Sequence, residues 1–184
     1  TDAYTLVENS EPQAMIIDAS GVSYRYATLV NALEAAQNGD TVVLLGDVNL
    51  TEALTIDKKV TIDLAGHTVR AEGTAANITA DVTIESSENG GAIVYIGDGA
   101  DHGLVVTKNA TLTLEDVVVN YANGGQAIRL GDYNGGIPTA DGGNAVLTNA
   151  TVTGGVAGVA MFGTAEGSAN KTSLTATDSS ISGT

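Results

Sequence analysis

Two periods of apolar residues divide this chain. In "YATLVNALEAAQNGD", residues 26–40, Leu29, Ala32, Leu33 and Ala36 recur at the spacing that puts them on one face of a helix. Thr28 precedes the stripe as an N-cap. Asn38-Gly39 predicts its stop, with Gly39 in the left-handed region. The apolar face is narrow and rich in alanine, a shape suited to close packing on the end of a sheet. From residue 40 onward the period becomes two. "TVVLL", "VTIDL", "VTIES", "TLTLE", "AVLTN" and "SLTAT" are brief alternations separated by Gly, Asn and Asp. Strands this short suit a coiled sheet better than a sandwich, whose strands run to about 5–6 residues or more.

The coils repeat. "LEDVVVN" (114–120), "LTNATVT" (147–153) and "ATDSSIS" (176–182) align without gaps. Their third positions are Asp116, Asn149 and Asp178, spaced 33 and then 29 residues apart. Asp and Asn are favoured at a sharp corner because they tolerate a left-handed backbone and bond their own main chain. One coil then takes roughly 30 residues where loops are long, and about five or six coils stack at the ~4.8 Å spacing of paired strands.

The stretch from Tyr26 to Val69, "YATLVNALEAAQNGDTVVLLGDVNLTEALTIDKKVTIDLAGHTV", resembles the N-terminal cap and first coils of right-handed parallel β-helices of the pectin-lyase-like superfamily. More narrowly, it is similar to the non-enzymatic β-helix segments of large bacterial cell-surface proteins. The resemblance spans residues 25–184. It implies an all-β, right-handed parallel β-helix (a solenoid) with a short N-terminal capping helix near 28–38, preceded by an N-terminal arm, residues 1–24. A lid makes physical sense there, since a stack of parallel strands exposes unpaired backbone at each end. The C-terminal stretch "SLTATDSSISGT" offers no such cover and reads as stopping in mid-coil.

Composition narrows the function. Aromatic residues are 4% and Trp is absent, so the core is aliphatic. The net charge of −15, from 22 acidic and 7 basic residues, argues against nucleic acid, anionic membrane surfaces and strongly anionic polysaccharides. Cysteine is absent, which excludes disulfides and thiolate metal sites. No apolar run reaches the ~18 residues needed to span a bilayer, so no membrane insertion is expected. No leader is visible, and a start at Thr1 reads as a processed or excised piece.

Candidate chemistry is sparse. The hydrolases of this superfamily resemble one another in a Gly-His-Gly and an Arg-x-Lys, with paired carboxylates as acid and base. Here "DHG" (Asp101, His102, Gly103) stands alone, with neither motif. The superfamily's lyases pair Ca²⁺ with an Arg or Lys base, but the basic residues here are scattered singly apart from Lys58-Lys59. No catalytic residue and no enzyme activity are therefore expected. Two oxygen-rich loops are candidate Ca²⁺ ligands, with solvated turns as the default reading: Asp98 and Asp101 in "GDGADHG", and Asp132, Asn134 and Asp141 in "GDYNGGIPTADGGN". No other cofactor is expected. The second loop is the longest insertion, and with Asp132, Tyr133, Asn134, Asp141 and Arg129 it is the candidate ligand-binding site, for a glycan. His67, after Gly66, reads as a turn histidine. Tyr95, Arg129 and Met161 are expected to face outward, lining one flank with Tyr121 and Tyr133; a second register pairs Val105 with Arg129, and alternation does not choose between them. Asn49, Asn77, Asn109, Asn149 and Asn170 each begin an Asn-x-Thr sequon, a glycan acceptor or the ordinary grammar of a turn entering a strand.

The expected function is an extracellular or cell-surface structural module, a rigid rod that assembles as a homo-oligomer or filament through its coil ends, with the N-terminal arm as an exchanged strand. A carbohydrate-binding adhesin and a polysaccharide lyase or hydrolase fragment are the alternatives.

Overall fold

The computed structural model describes residues 11–97, 99, 102–131, 133–134, 137–138, 142–164 and 172–184. Strands β1 (Ala14–Ile17) and β2 (Ser23–Tyr26) open the chain as a hairpin. Its turn is held by the Asp18 carboxylate, which accepts the N–H groups of Ser20 at 2.9 Å and Val22 at 3.0 Å. Helix α1 (Leu29–Ala35) follows. Thr28 caps it as expected: its backbone is extended and its Oγ1 accepts the Asn31 N–H at 3.1 Å. The helix ends earlier than the sequence predicts. Lys58 reaches across and donates from Nζ to the carbonyl of Glu34 at 2.7 Å, supplying the cation that a helix C-terminus favours. Gly39 is left-handed, at φ +95°, but it turns the chain into the first coil instead of closing the helix. There it donates to the Lys59 carbonyl at 2.7 Å, while Asn38 Oδ1 accepts the Lys59 N–H at 2.8 Å.

Strands then recur in threes. The first coil is β3 (Thr41–Leu44), β4 (Val48–Leu50) and β5 (Leu54–Ile56). The second is β6 (Val60–Asp63), β7 (Thr68–Ala71) and β8 (Ala76–Ile78). The third is β9 (Val82–Glu85), β10 (Ala92–Tyr95) and β11 (Leu104–Val106). The fourth is β12 (Thr111–Glu115), β13 (Val118–Tyr121) and β14 (Gln126–Leu130). A small antiparallel ribbon, β15 (Tyr133–Asn134) with β16 (Ile137–Pro138), precedes the fifth coil. That coil is β17 (Asn144–Thr148), β18 (Thr151–Gly154) and β19 (Ala157–Met161). Finally β20 (Ser173–Thr177) and β21 (Ser180–Gly183) begin another turn.

First members of the coils form one sheet, in the order β2-β1-β3-β6-β9-β12-β17-β20; second members form β4-β7-β10-β13-β18-β21, and third members β5-β8-β11-β14-β19. Every pairing from β3 onward within these three sheets is parallel, so this all-β chain of three largely parallel sheets is compatible with a parallel β-solenoid. Part of the expected exchangeable arm packs at home instead. β1 lies antiparallel on β3 of its own chain, with Met15 opposite Val43 and Ile17 opposite Thr41.

Successive coils stack like on like. Val42, Ile62, Ile84, Leu114 and Leu147 form one inward column of the first sheet; Leu54, Ala76, Leu104 and Ile128 form one in the third. All nine are buried. Fully burying such a side chain is worth about 1.5–3 kcal/mol, and here each also touches its copies above and below. The two buried carboxylates are bonded: Asp63 Oδ1 accepts from Ala65 and Ser87 N–H, and Asp40 Oδ2 accepts the Gln37 N–H at 2.7 Å.

Tyr95 and Tyr121 do not face outward. Tyr95 and Tyr121 are 5% and 0% exposed, and their rings stack inside at 5.0 Å between centroids. Ile96, which the alternation placed inside, is half exposed. The reason lies in the column. Tyr95 pairs with Ala71 below, and Tyr121 pairs with Gly154 above, so two rings fit between two small residues. Their hydroxyls are met by backbone, Tyr95 donating to the Gly99 carbonyl at 2.9 Å and Tyr121 to that of Gly73 at 3.0 Å. The second register is the one adopted in the third sheet: Arg129 pairs with Val105 and Ala160, and Met161 pairs with Leu130.

The corners behave as the repeat predicted. Asp116, Asn149 and Asp178 have φ of +57°, +50° and +50°. The Asn149 side-chain amide donates to the Asp116 carboxylate one coil below. Replacing Asn149 by Ala removes that bond and leaves at a left-handed corner a residue that tolerates it less well than asparagine. The expected loss is about 1–2 kcal/mol in a urea titration, with Asn149→Gly costing less. A β-carbon on Gly103 would lie 2.2 Å from the Ala127 carbonyl oxygen and 3.0 Å from the Tyr121 ring. Gly103→Ala is therefore expected to cost about 1–3 kcal/mol in the same titration.

Candidate functional site

The outer face of the first sheet carries an ordered array of polar side chains. Thr41, Thr61, Thr83 and Thr113 stand in one column, continued by Val146 and Thr175. Two residues along, Asp63, Glu85 and Glu115 occupy successive coils, followed by Thr148 and Thr177. Period two within each strand puts both columns on the same face, and the coil repeat aligns them. A shallow groove of about 360 Å³ runs beside them, lined by Lys59, Thr61, Asp81, Thr83, Thr111 and Thr113 among others. The sequence carries a signal for these columns: Thr61-Ile62-Asp63, Thr83-Ile84-Glu85 and Thr113-Leu114-Glu115 share one pattern of threonine, aliphatic residue and acid.

A second feature lies at the corner between the third and first sheets. The insertions after β14 and β19 both leave from that corner, on neighbouring coils. At their feet the Arg129 guanidinium sits 5.0 Å from the centre of the Phe162 ring. Thr172 Oγ1 donates to the Phe162 carbonyl at 2.7 Å, closing the base of the later insertion. Gly142 packs so tightly there that an added β-carbon would lie 2.3 Å from Thr172 Oγ1. Arg129 is thus half-buried, with its charge over an aromatic face.

The other expected site residues fall in several places. Asp98, Asp101, Asp132, Asp141 and Asn170 lie outside the described residues. Tyr133 and Asn134 form β15, opposite Pro138 and Ile137. Among the described residues no group of three His, Asp or Glu is placed to hold a metal ion. Asn49 and Asn77 are exposed in mid-strand, on β4 and β8. Asn109 is half-buried in a left-handed turn, and Asn149 is committed to Asp116. His67 occupies its turn with Nδ1 3.8 Å from Asp47, whose carboxylate also accepts from Arg70 at 2.9 Å. The Asp47 carboxyl is held below its ordinary value by the Thr68 N–H first and Arg70 second. No helix among the described residues is long and apolar enough to cross a membrane, which leaves membrane-spanning strands unaddressed. Among the described residues the interior includes an apolar gap of about 20 Å³ among Leu54, Ile62, Val69 and their neighbours, too small for a ligand.

Compared with family models, curated proteins and solved structures, the chain matches none of them.

The carboxylate column gives a pH signature. Partial burial raises the Glu85 carboxyl above its ordinary range, and the Asp63 and Glu115 carboxylates on either side raise it further. A raised acid favours its protonated form in the folded state. The charged form therefore costs stability above the folded pKa, and that cost fades as pH falls towards the ordinary glutamate value of about 4.3. Glu85→Gln is expected to melt higher than the parent at pH 7 and to match it near pH 4, as read by circular dichroism.

Proposed function

We propose that this chain is a structural module: a rigid, right-handed parallel β-helical segment, of the pectin-lyase-like kind, in an extracellular or cell-surface protein, without a catalytic role. The handedness follows the general rule for crossovers between parallel strands of one sheet. One observation carries the reading. The inward columns of the first sheet run through coil after coil with aliphatic packing, while its outward columns are mainly threonines and carboxylates. Such a stack resists bending because each coil is bonded along three sides to the next. The charge of −15 and the absence of cysteine suit a soluble face outside the cell in an organism that does not rely on disulfides there.

A second reading has its own observation. The corner from which two insertions leave, with Arg129 over Phe162, is the described surface best suited to a sugar ring and its hydroxyls. In that reading the rod displays an adhesin site.

Incubation with neutral and acidic polysaccharides tests the non-catalytic reading. No unsaturated or reducing-end product is expected, and turnover sensitive to Asp101 or His102 replacement would replace this reading with a lyase or hydrolase. A glycan array separates the other two. No binding is expected of a plain rod; binding lost in Arg129→Ala, with an unchanged melting curve, would favour the adhesin. Native-state hydrogen exchange is expected to show amides of β9, β12 and β17 opening only with global unfolding, as a stiff stack requires.

A further inference from the structure

An Asn-Gly pair lets a chain modify itself without an enzyme. The Gly backbone nitrogen attacks the Asn side-chain carbonyl carbon and gives up its proton. The side-chain nitrogen leaves as ammonia, and a cyclic imide remains. Water then adds to either carbonyl of that ring and opens it to aspartate or to isoaspartate. The net change is one water consumed and one ammonia released. Glycine favours the attack because it has no β-carbon to hinder it or the backbone rotation that precedes it. Both reacting groups must also be free, since a hydrogen bond to either holds it out of the ring-closing geometry.

The chain carries four Asn-Gly pairs, at 38–39, 89–90, 123–124 and 134–135, and the last extends outside the described residues. The fold treats the other three differently. At 38–39 both groups are engaged: Asn38 Oδ1 accepts the Lys59 N–H at 2.8 Å, and the Gly39 N–H donates to the Lys59 carbonyl at 2.7 Å. At 123–124 the Gly124 N–H donates to the Tyr121 carbonyl at 2.8 Å. Gly155, from the next coil, presses on that turn; a β-carbon there would lie 2.2 Å from the Gly124 carbonyl oxygen.

The remaining pair sits at the tip of the loop between β9 and β10. The approach to the tip is anchored. The Ser87 N–H donates to Asp63 Oδ1 at 2.9 Å, and Ser86 Oγ donates to the Glu88 carbonyl. The chain is caught again at Ala92, whose N–H donates to the His67 carbonyl at 3.2 Å. Between these anchors Asn89 and Gly90 are exposed. Among the described residues, neither the Asn89 side chain nor the Gly90 N–H has a hydrogen-bond partner. Gly90 stands at φ +100°, and a β-carbon on it would meet only the Gly66 carbonyl oxygen, at 3.6 Å.

We propose that Asn89 is a site of spontaneous deamidation, converting to aspartate and isoaspartate through a cyclic imide with Gly90. The four pairs share the same reacting residues, and the fold selects this one by leaving both groups unbonded on an open turn. The chemistry needs water alone, so it proceeds whether the chain serves as a rod or displays an adhesin site. Its product carboxylate joins Glu88 and Asp116 along a groove of about 340 Å³ at this corner. In a chain of net charge −15, conversion adds negative charge where two carboxylates already stand, while the anchors on either side keep β9 and β10 in their ladders.

Peptide mapping by mass spectrometry tests the site, on purified chain aged in warm, mildly alkaline buffer made with heavy-oxygen water. Asn89 is expected to convert roughly fivefold faster than Asn123, where one hydrogen bond must open first, and faster still than Asn38, where two must. Aspartate and isoaspartate should both appear at position 89, each carrying one heavy oxygen. In chain unfolded by urea the three rates should converge, because the bonds that separate them are gone. Asn89→Gln, whose longer side chain closes the ring far more slowly, should stop conversion in this loop, with far-UV circular dichroism confirming that the variant is folded. Equal rates at the three pairs in the folded chain, faster loss at Asn38 or Asn123, the same ranking in urea, aspartate without isoaspartate, or conversion in this loop that continues in Asn89→Gln would each overturn the proposal.

Discussion

Each inward position of this chain must fill the space left by the same position one coil away. Three parallel ladders fix successive strands at one spacing, so a side chain cannot slide to find room. It is packed by its copies above and below. Where the copies are aliphatic the column is uniform, as with Val42, Ile62, Ile84, Leu114 and Leu147. Where one is large, a neighbour must be small. Ala71, Tyr95, Tyr121 and Gly154 show the rule: two stacked rings occupy the volume that an alanine and a glycine leave open. The glycines at 97 and 103, pressed against those same rings, extend it into the turns.

The corners answer to a second constraint. A coil returns over itself only if the chain bends sharply at the same place each time, and left-handed Asp116, Asn149 and Asp178 do this at one corner. The inserted segments avoid that corner. The two longest leave from the corner between the third and first sheets, where Arg129 and Phe162 anchor their feet. Regular corners keep the ladders in register, and the irregular corner carries whatever specificity the surface has. The rod and the adhesin readings are therefore compatible with one architecture, differing in whether that corner is used.

The ends complete the picture. A ladder of parallel strands has no natural terminus, so each end must be covered or used. At the first end the helix is positioned by Thr28 and tied by Lys58, while the β1–β2 hairpin reverses the sense of the sheet and blocks further parallel growth. The far end keeps uncharged strands and half-exposed Met161 and Ile181.

The sequence by itself determined the short alternating strands, the capped helix and the left-handed corners. Each of these is local: a period of two, a threonine before an apolar stripe, an Asp or Asn at a fixed place in a repeat. It also contained the recurrence of threonine, Ile or Leu, and acid that lines the first sheet, because like positions one coil apart stack. What tertiary structure decided was the facing of ambiguous strands. In "AIVYIG" either phase is apolar, and the small residues at 71 and 154, distant in sequence, chose the one with Tyr95 inside. It decided where the helix stops, because Lys58 comes from the second coil's approach. It decided that residues 14–17 pair with β3, since edge pairing depends on which strand is left bare. Local grammar sets what each segment can be. The stacking of coils, a contact between residues twenty or more positions apart, selects among the possibilities.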